Sequence, residues 1–372
     1  MSYFHTSMQQ RTSNLIARAK IIANIRKWFE KNHFIEVETP ILVDCPDLSP
    51  NFDILKTKIH NSRLSAFPSS IYPFTNQSHS QNCFCLAGND DKGNTKSLSK
   101  LSAASIKYLI TSPEFSMKKL LALEKLNNIY TITKVFRDNE ENTGIHSIEF
   151  TMLEWYRKNA DYTDIMQDTE ELVTHLICFA RPFPRLKISN LFKKYACIDN
   201  VEKLSIPVFT KIIHSREYSK DKNLTYEQCF NLIFLNEIES KLPKTPFFLI
   251  DYPAPLAALA KFKKNNPHIA ERFELYINGI ELCNGFSELT DGKEQLSRFK
   301  KENILRKRMG KPQLPIDYEL CKKLDSISIK TKGHPVHAAK TKKNAMVGGN
   351  AIGIDRLVMI LLNATAIDEV MY

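Results

Sequence analysis

The stretch Glu149–Arg157, EFTMLEWYR, is rich in β-branched and aromatic residues and follows a polar loop, which predicts a strand. Side chains on a strand alternate between faces, so Phe150, Met152, Glu154 and Tyr156 share one side. Thr151, Leu153 and Trp155 take the other, which reads as the buried one. One face then carries an aromatic plate, a carboxylate and a phenol in a row. A core strand ending in a glutamate gives the same pattern, and for this strand taken alone that is the better reading.

Around it the pattern predicts further elements. Ser13 can cap a helix running to about Lys31, with Leu15, Ala19, Ile22, Ile25 and Phe29 as its apolar stripe. It leads into an extended segment, Phe34-Ile-Glu-Val-Glu-Thr-Pro40. Such a helix and strand serve core packing or a dimer interface equally well. Ser112-Pro113-Glu114 opens a helix to about Lys125, with Pro113 at its first position. Ile129–Phe136 alternates as a strand, ends at Arg137, and makes a hairpin with the opening strand through Asp138–Ser147. Phe247–Tyr252 is an apolar strand. Arg272–Phe286 is a second hairpin turning at Asn278-Gly279. A basic amphipathic helix is predicted over Lys293–Met309, and Ile354–Leu362 follows a Gly-rich strand into a helix. The span 160–245 shows helices and connecting strands without legible chemistry.

Two stretches break the order. Residues 56–105 lack a sustained period and are rich in Asn, Ser, His, Gln and Gly around Ser78–Lys100, which predicts a long loop insertion. Residues 330–347 form a basic loop in which Lys330–Lys343 has no acid. The whole, residues 1–372, reads as a single α+β domain, long enough to bury a large core. Lys and Arg number 52 against 41 Asp and Glu, a net charge of +11 that permits a polyanionic or acidic partner without requiring one. The eight cysteines are scattered without CxxC spacing, so neither a zinc site nor a disulfide framework is signalled. Cys83 and Cys85 make a lone CxC, weak as a metal signal. No signal peptide or membrane-spanning run is legible, and reduced thiols fit a cytoplasmic location.

The candidate chemistry lies on the strands. With Asn278-Gly279 as a two-residue turn, Tyr276 pairs with Glu281, and Glu274 lies diagonal to Glu281 on one face. Two carboxylates so close call for a cation, and hard oxygen ligands suit Mg²⁺ shared with phosphates. A solvated acidic face would explain them as well. Arg137 at a strand end and Arg356 at a helix start are placed to meet phosphate with a planar fork. Neither GxxxxGK[ST] nor GxGxxG after a strand is present, so ATP binding would have to use an antiparallel sheet. Glu114, Glu154, Glu288 and Tyr156 make an acid-rich set that would suit a substrate with two amines, provided the fold unites them.

These residues resemble a known family. FIEVETP, the Arg137 hairpin and GNAIGIDRL are similar to motifs 1, 2 and 3 of class II aminoacyl-tRNA synthetases. SPE, EFTMLEWY and GIELCNGFSELTD resemble the lysine-specific branch, over about residues 13–55, 106–175 and 247–362. Within that branch, three features resemble the truncated paralogues that modify elongation factor P. Motif 1 begins almost at the N-terminus, leaving no room for an anticodon-binding OB domain. GKPQLPIDYEL resembles the paralogues, and Ala351 stands where tRNA-charging enzymes usually have glycine.

The resemblance implies an antiparallel sheet flanked by helices, a homodimer, and ATP with Mg²⁺. It implies that Phe150 and Arg356 sandwich adenine and that Arg137, with Asn139, Glu140, His146 and Ser147, borders the phosphates. Glu274 and Glu281 would hold Mg²⁺, with Leu282 and Gly353 lining the nucleotide site. Glu288 and Tyr156 would take the side-chain amine, and Ser112, Pro113, Glu114 and Glu154 the other end, beside Asn284 and Ala351. The implied reaction activates lysine or (R)-β-lysine as an adenylate and passes it to a lysine of elongation factor P rather than to tRNA. Motif 2 departs from the family's Arg-x-Glu, reading Arg137-Asp138-Asn139-Glu140, and Ser147 replaces its asparagine. Two alternatives stay open: a stand-alone lysyl-tRNA synthetase core, and a weakly catalytic paralogue acting as a binding or regulatory protein.

Overall fold

The structure is a computed structural model that describes residues 8–59, 105–138, 144–177, 179, 182–327 and 346–371. Asn139 and Glu140, the CxC cysteines, most of the 56–105 stretch and Lys330–Lys343 lie outside the described residues. The chain divides into two compact units, one of residues 1–55 and 108–372 and the other of residues 56–107. In the first half the elements are α1 (Met8–Lys31), β1 (Ile35–Glu36), β2 (Leu42–Val43), β3 (Lys56–Ile59), β4 (Ser105–Leu109), α2 (Glu114–Leu121), β5 (Asn128–Phe136), β6 (Glu149–Lys158) and α3 (Tyr162–Leu176). Then come β7 (Arg185–Lys187), α4 (Ile188–Ala196), α5 (Ile206–Ser215), α6 (Tyr226–Ile233), β8 (Phe247–Ile250), β9 (Phe262–Lys263) and β10 (Asn266–Ala270). The last third holds β11 (Arg272–Ile277), β12 (Ile280–Ser287), α7 (Gly292–Arg308), α8 (Tyr318–Leu324), β13 (Val347–Gly353) and α9 (Ile354–Leu362).

The larger unit is built on an eight-stranded sheet in the order β1-β5-β6-β13-β12-β11-β8-β7. Its six central strands pair antiparallel, and only the edge strands β1 and β7 run parallel to their neighbours. This α+β architecture is the one expected. One face of β6, through Leu153 and Trp155, packs with Ile25 and Phe29 of α1, Ile165 of α3 and Leu357 of α9. The opposite face is bordered at one end by an apolar cluster from α2, α7 and α8. At the other end stand α4 to α6 with a cluster of their own. Between these walls the sheet face stays open, and the candidate residues point there.

Several predicted elements shift at their ends. The first helix begins at Met8, not at Ser13, whose hydroxyl donates to the Gln9 carbonyl from inside the helix. The extra turn is held by the distant C-terminal segment, because Arg11 donates to the Met371 carbonyl and Asn14 to that of Glu369. α2 stops at Leu121 rather than near Lys125, which sits in a left-handed conformation at φ 73°. The Asn278-Gly279 turn is as expected, both residues having positive φ (54° and 78°), the signature of a tight hairpin turn. The pairs Ile277–Ile280 and Tyr276–Glu281 form, but a bulge at Leu282 then moves Asn284, not Cys283, opposite Glu274.

That bulge matters for the site. Strict alternation would send Glu281 and Asn284 to opposite faces. One inserted residue changes the parity, so both line the same cavity with Phe286 and Glu288.

Candidate active site

The open sheet face forms a cavity of about 1240 Å³. Phe150, Met152, Glu154 and Tyr156 of β6 all border it, the alternation read from the sequence. Arg137, His146, Ser147, Glu281, Leu282, Gly353 and Arg356 border it too, as do Ser112, Glu114, Asn284, Glu288, Ala351 and Glu274. Pro113 lies behind this wall, its carbonyl accepting from Met117 N in the first turn of α2.

At one end lies a group of buried charges. Glu154 accepts from the Tyr156 hydroxyl (2.5 Å) and from Ser112 Oγ (2.8 Å). Ser112 Oγ also accepts from Glu114 N, turning the start of α2 toward β6. Lys118, one helical turn after Glu114, donates to Glu114 Oε1 (2.5 Å) and lies 2.6 Å from Glu288 Oε2. Lys118, Glu154 and Glu288 are each at most 3% exposed. Three carboxylates thus face one ammonium. Burial pushes the Glu154 carboxyl up to about 8, with the Glu114 charge adding to the shift. Burial likewise raises Glu288 well above the carboxylate range, against the pull of Lys118. For Lys118 burial works against the charge, but Glu114 and Glu288 outweigh it and hold its pKa above the ordinary ammonium value. An isolated pair would be closed; this set has room for further positive charge.

Ala351 sits between β6 and β12, opposite Glu154 on one side and Asn284 on the other. Gly349 lies opposite Tyr156, and a Cβ there would come within 2.5 Å of both Glu288 Oε1 and the Tyr156 ring. Only a bare backbone lets these two side chains meet over β13.

The other end carries arginines and a second acidic pair. The Arg137 guanidinium lies 4.5 Å from the Phe52 ring centre and 5.3 Å from that of Phe150, while Nε donates to the Thr111 carbonyl. Arg356 donates to the carbonyls of Glu281 and Ile145. Its neighbour Asp355 is buried, pairs with Arg18 (2.6 Å) and accepts from Thr151 N. This ties α1, β6 and α9 together and places Arg356 beside the strand that carries Phe150.

Glu274 is already engaged: Arg272 donates to Oε1, and Tyr252 and Tyr276 donate to Oε2. Among the described residues Glu281 accepts no such bonds, and burial, reinforced by Glu274, pushes its carboxyl up to about 7. Of the two, Glu281 therefore has oxygens open to a cation, and Glu274 is a fixed charge behind it. Among the described residues no cluster of three or more metal-ligating side chains occurs.

Sequence reasoning missed several of these residues. Lys118 was legible as the i+4 neighbour of Glu114 on a helix, and Arg272 as the same-face neighbour of Glu274 on a strand. Phe52 and Tyr252 sit on connecting segments, where no local period announces a direction.

The raised carboxyls make a prediction about pH. Glu154, Glu281 and Glu302 (the last at about 7, through burial and then Asp47) hold protons in the folded chain that an unfolded chain loses near 4.5. Where the folded state binds more protons, stability falls as pH rises, here between about 4.5 and 8. The ligand-free protein is expected to melt at lower temperature at pH 8 than at pH 6. A diamino acid should raise the melting temperature more at pH 8, where the carboxylates need its charge. Thermal-shift curves at both pH values check this, and a ligand shift independent of pH contradicts it.

A sheet of six central antiparallel strands flanked by helices, with two arginines and two groups of carboxyls along one open face, is the architecture of a class II synthetase domain. A family model described as class II tRNA synthetases (D, K and N) matches residues 1–372, and the chain belongs to this family of ligases. Curated relatives are more particular. An elongation factor P–(R)-β-lysine ligase of Mannheimia succiniciproducens is 34% identical over 360 residues, 96% of this chain and 93% of the relative. The ligase of the same name from Pasteurella multocida is 35% identical over 361 residues, 96% and 94% of the two chains. That of Vibrio vulnificus is 34% identical over 359 residues, 95% and 93%. Among the described residues, no helix is long and apolar enough to cross a membrane.

Proposed function

We propose that the chain activates lysine or (R)-β-lysine with Mg·ATP and transfers the aminoacyl group to a lysine side chain of elongation factor P. The observation that carries this reading is the single cavity in which the Glu114–Glu154–Glu288–Tyr156 set and Arg137, Arg356 and Glu281 meet. The names of the relatives supply the amino acid and the acceptor.

In the first step the substrate carboxylate attacks the α-phosphorus, forming the aminoacyl-adenylate and releasing pyrophosphate. Arg137 supplies a fork held between two rings, pre-set for phosphate oxygens, and Arg356 a second one fixed by carbonyl contacts. Glu281, backed by Glu274, would hold the Mg²⁺ that travels with ATP, which supplies charge neutralisation on the phosphates. The amine pocket anchors the far end of the amino acid, so binding energy there orients the carboxylate for attack. In the second step the acceptor's ε-amine attacks the adenylate carbonyl, an amide forms and AMP leaves. Adenine stacking by Phe150, a cytoplasmic location and a homodimer belong to the same proposal.

Pyrophosphate exchange with (R)-β-lysine and with α-lysine, followed by transfer assays to elongation factor P and to tRNA, tests the reading. Exchange and transfer to elongation factor P are expected. Transfer to tRNA alone would identify a synthetase core, and no exchange with either amino acid would favour a regulatory role.

A further inference from the structure

We propose that Lys118 is a positioning residue for the amino-acid pocket: it holds Glu288 by one oxygen and presents the other to the incoming ammonium. The proposal deepens the diamino-acid reading above and rests on it.

The geometry starts from what Glu288 touches. Its Oε2 lies 2.6 Å from Lys118 Nζ, while its Oε1 has no hydrogen-bond partner among the described residues. Oε1 is a buried carboxyl oxygen on a residue that lines the cavity, and nothing among the described residues satisfies it. A buried carboxylate oxygen in that state is costly unless a ligand completes it. The groups facing Glu288 are Glu114 and Lys118 from α2 and Glu154 and Tyr156 from β6, while β13 brings Gly349, which has no side chain. Lys118 is the one cation among them.

Two consequences follow from that placement. Lys118 is anchored at both ends of its reach, by Glu114 on its own helix and by Glu288 just after β12, and its ammonium lies 5.5 Å from the Phe286 ring centre. It therefore fixes the turn of the Glu288 carboxylate relative to α2. It also offsets one of the three carboxyls, leaving two that can ionise against ammonium groups brought by a ligand. A substrate with two ammonium groups restores balance; one with a single ammonium leaves a carboxylate unpaired. The bland alternative is that Lys118 merely stabilises the fold as a buried ion pair, and that alternative predicts no preference between substrates.

Lys118→Met keeps length and apolar bulk while removing the charge. The Michaelis constant for the diamino acid in pyrophosphate exchange is expected to rise at least tenfold, with kcat and the KM for ATP within about threefold of the unaltered enzyme. Without its cationic neighbour Glu288 holds its proton more tightly. The amino-acid KM of the variant should then fall more steeply with rising pH between 6.5 and 8.5 than that of the parent. Parallel loss in both substrates' KM values, or an unchanged pH slope, overturns the proposal. Where the methionine variant does not fold, Lys118→Arg carries the test. Its retained charge should keep the parental pH slope, and a steeper slope overturns the proposal equally. An unaltered enzyme that exchanges pyrophosphate with no diamino acid instead refutes the reading on which the proposal rests.

Discussion

Replacing Glu288 with Gln is expected to lower kcat/KM for the amino acid by about a hundred- to a thousandfold and leave the KM for ATP nearly unchanged. Glu288 is 3% exposed, is paired with Lys118 through one oxygen, and has its other oxygen unsatisfied in the cavity. Glutamine is close in shape but neutral. It leaves Lys118 with Glu114 alone and offers the substrate's ammonium an amide in place of an anion. Breaking one partner out of a buried charge group costs about 3–5 kcal/mol, and about 1.4 kcal/mol is a tenfold change. The selectivity of the loss is the informative part. Arg137 and Arg356 lie on other segments and Glu281 at the far end of β12, seven residues before Glu288, so the nucleotide end should not register the change. Steady-state pyrophosphate exchange, varying each substrate in turn, measures both constants. Equal loss in the two would mean that the carboxylate holds the fold rather than the amino acid.

Arg137→Ala should act at the opposite end, lowering kcat for pyrophosphate exchange by about a hundred- to a thousandfold, the usual cost of removing a group that meets developing charge. The guanidinium is held between Phe52 and Phe150 and tethered to the Thr111 carbonyl, so it is organised before any phosphate arrives. Alanine removes the charge and leaves two aromatic rings with no plate between them. Arg137→Lys should rescue little, because an ammonium can neither stack between rings nor present two parallel donors. A lysine variant with nearly full activity would show that only charge is needed there. Unchanged kcat in the alanine variant would remove Arg137 from the chemistry. The pair of variants also separates the two halves of the cavity: the first should be read in the amino-acid constant, the second in turnover.

The two ends are linked through Arg272. Its Nε donates to Asn284 Oδ1 and its Nη2 to Glu274 Oε1, while its plane lies 4.4 Å from the Tyr252 ring centre. With Oδ1 occupied, the amide of Asn284 has its donor side left for the cavity. That orientation suits a substrate carboxylate or phosphate oxygen. One half-buried arginine therefore sets both the amide of Asn284 and the fixed charge behind Glu281.

How much of this was legible beforehand differs by feature. The face assignment in β6 followed from period-two alternation, because a strand's geometry leaves a side chain only two directions. The Asn278-Gly279 turn was equally plain, since few residue pairs accept positive φ in succession. The family emerged from short motifs in order, and comparison with known proteins agrees with it over residues 1–372. The helix ends were less legible. α1 starts a turn and a half early because the C-terminal segment, more than three hundred residues away, ties it down.

By itself, the sequence determined which residues have chemistry and, strand by strand, which of them share a face. Alternation and turn chemistry are local, so they survive without knowledge of the rest of the chain. Only the tertiary structure decided which faces meet. The bulge at Leu282 turned Glu281 and Asn284 into one cavity, α2 came down on β12 so that Lys118 reached Glu288, and bare Gly349 let Glu288 approach Tyr156. Each of these depends on the separation of two backbones, set by packing between distant segments. No local pattern encodes that distance.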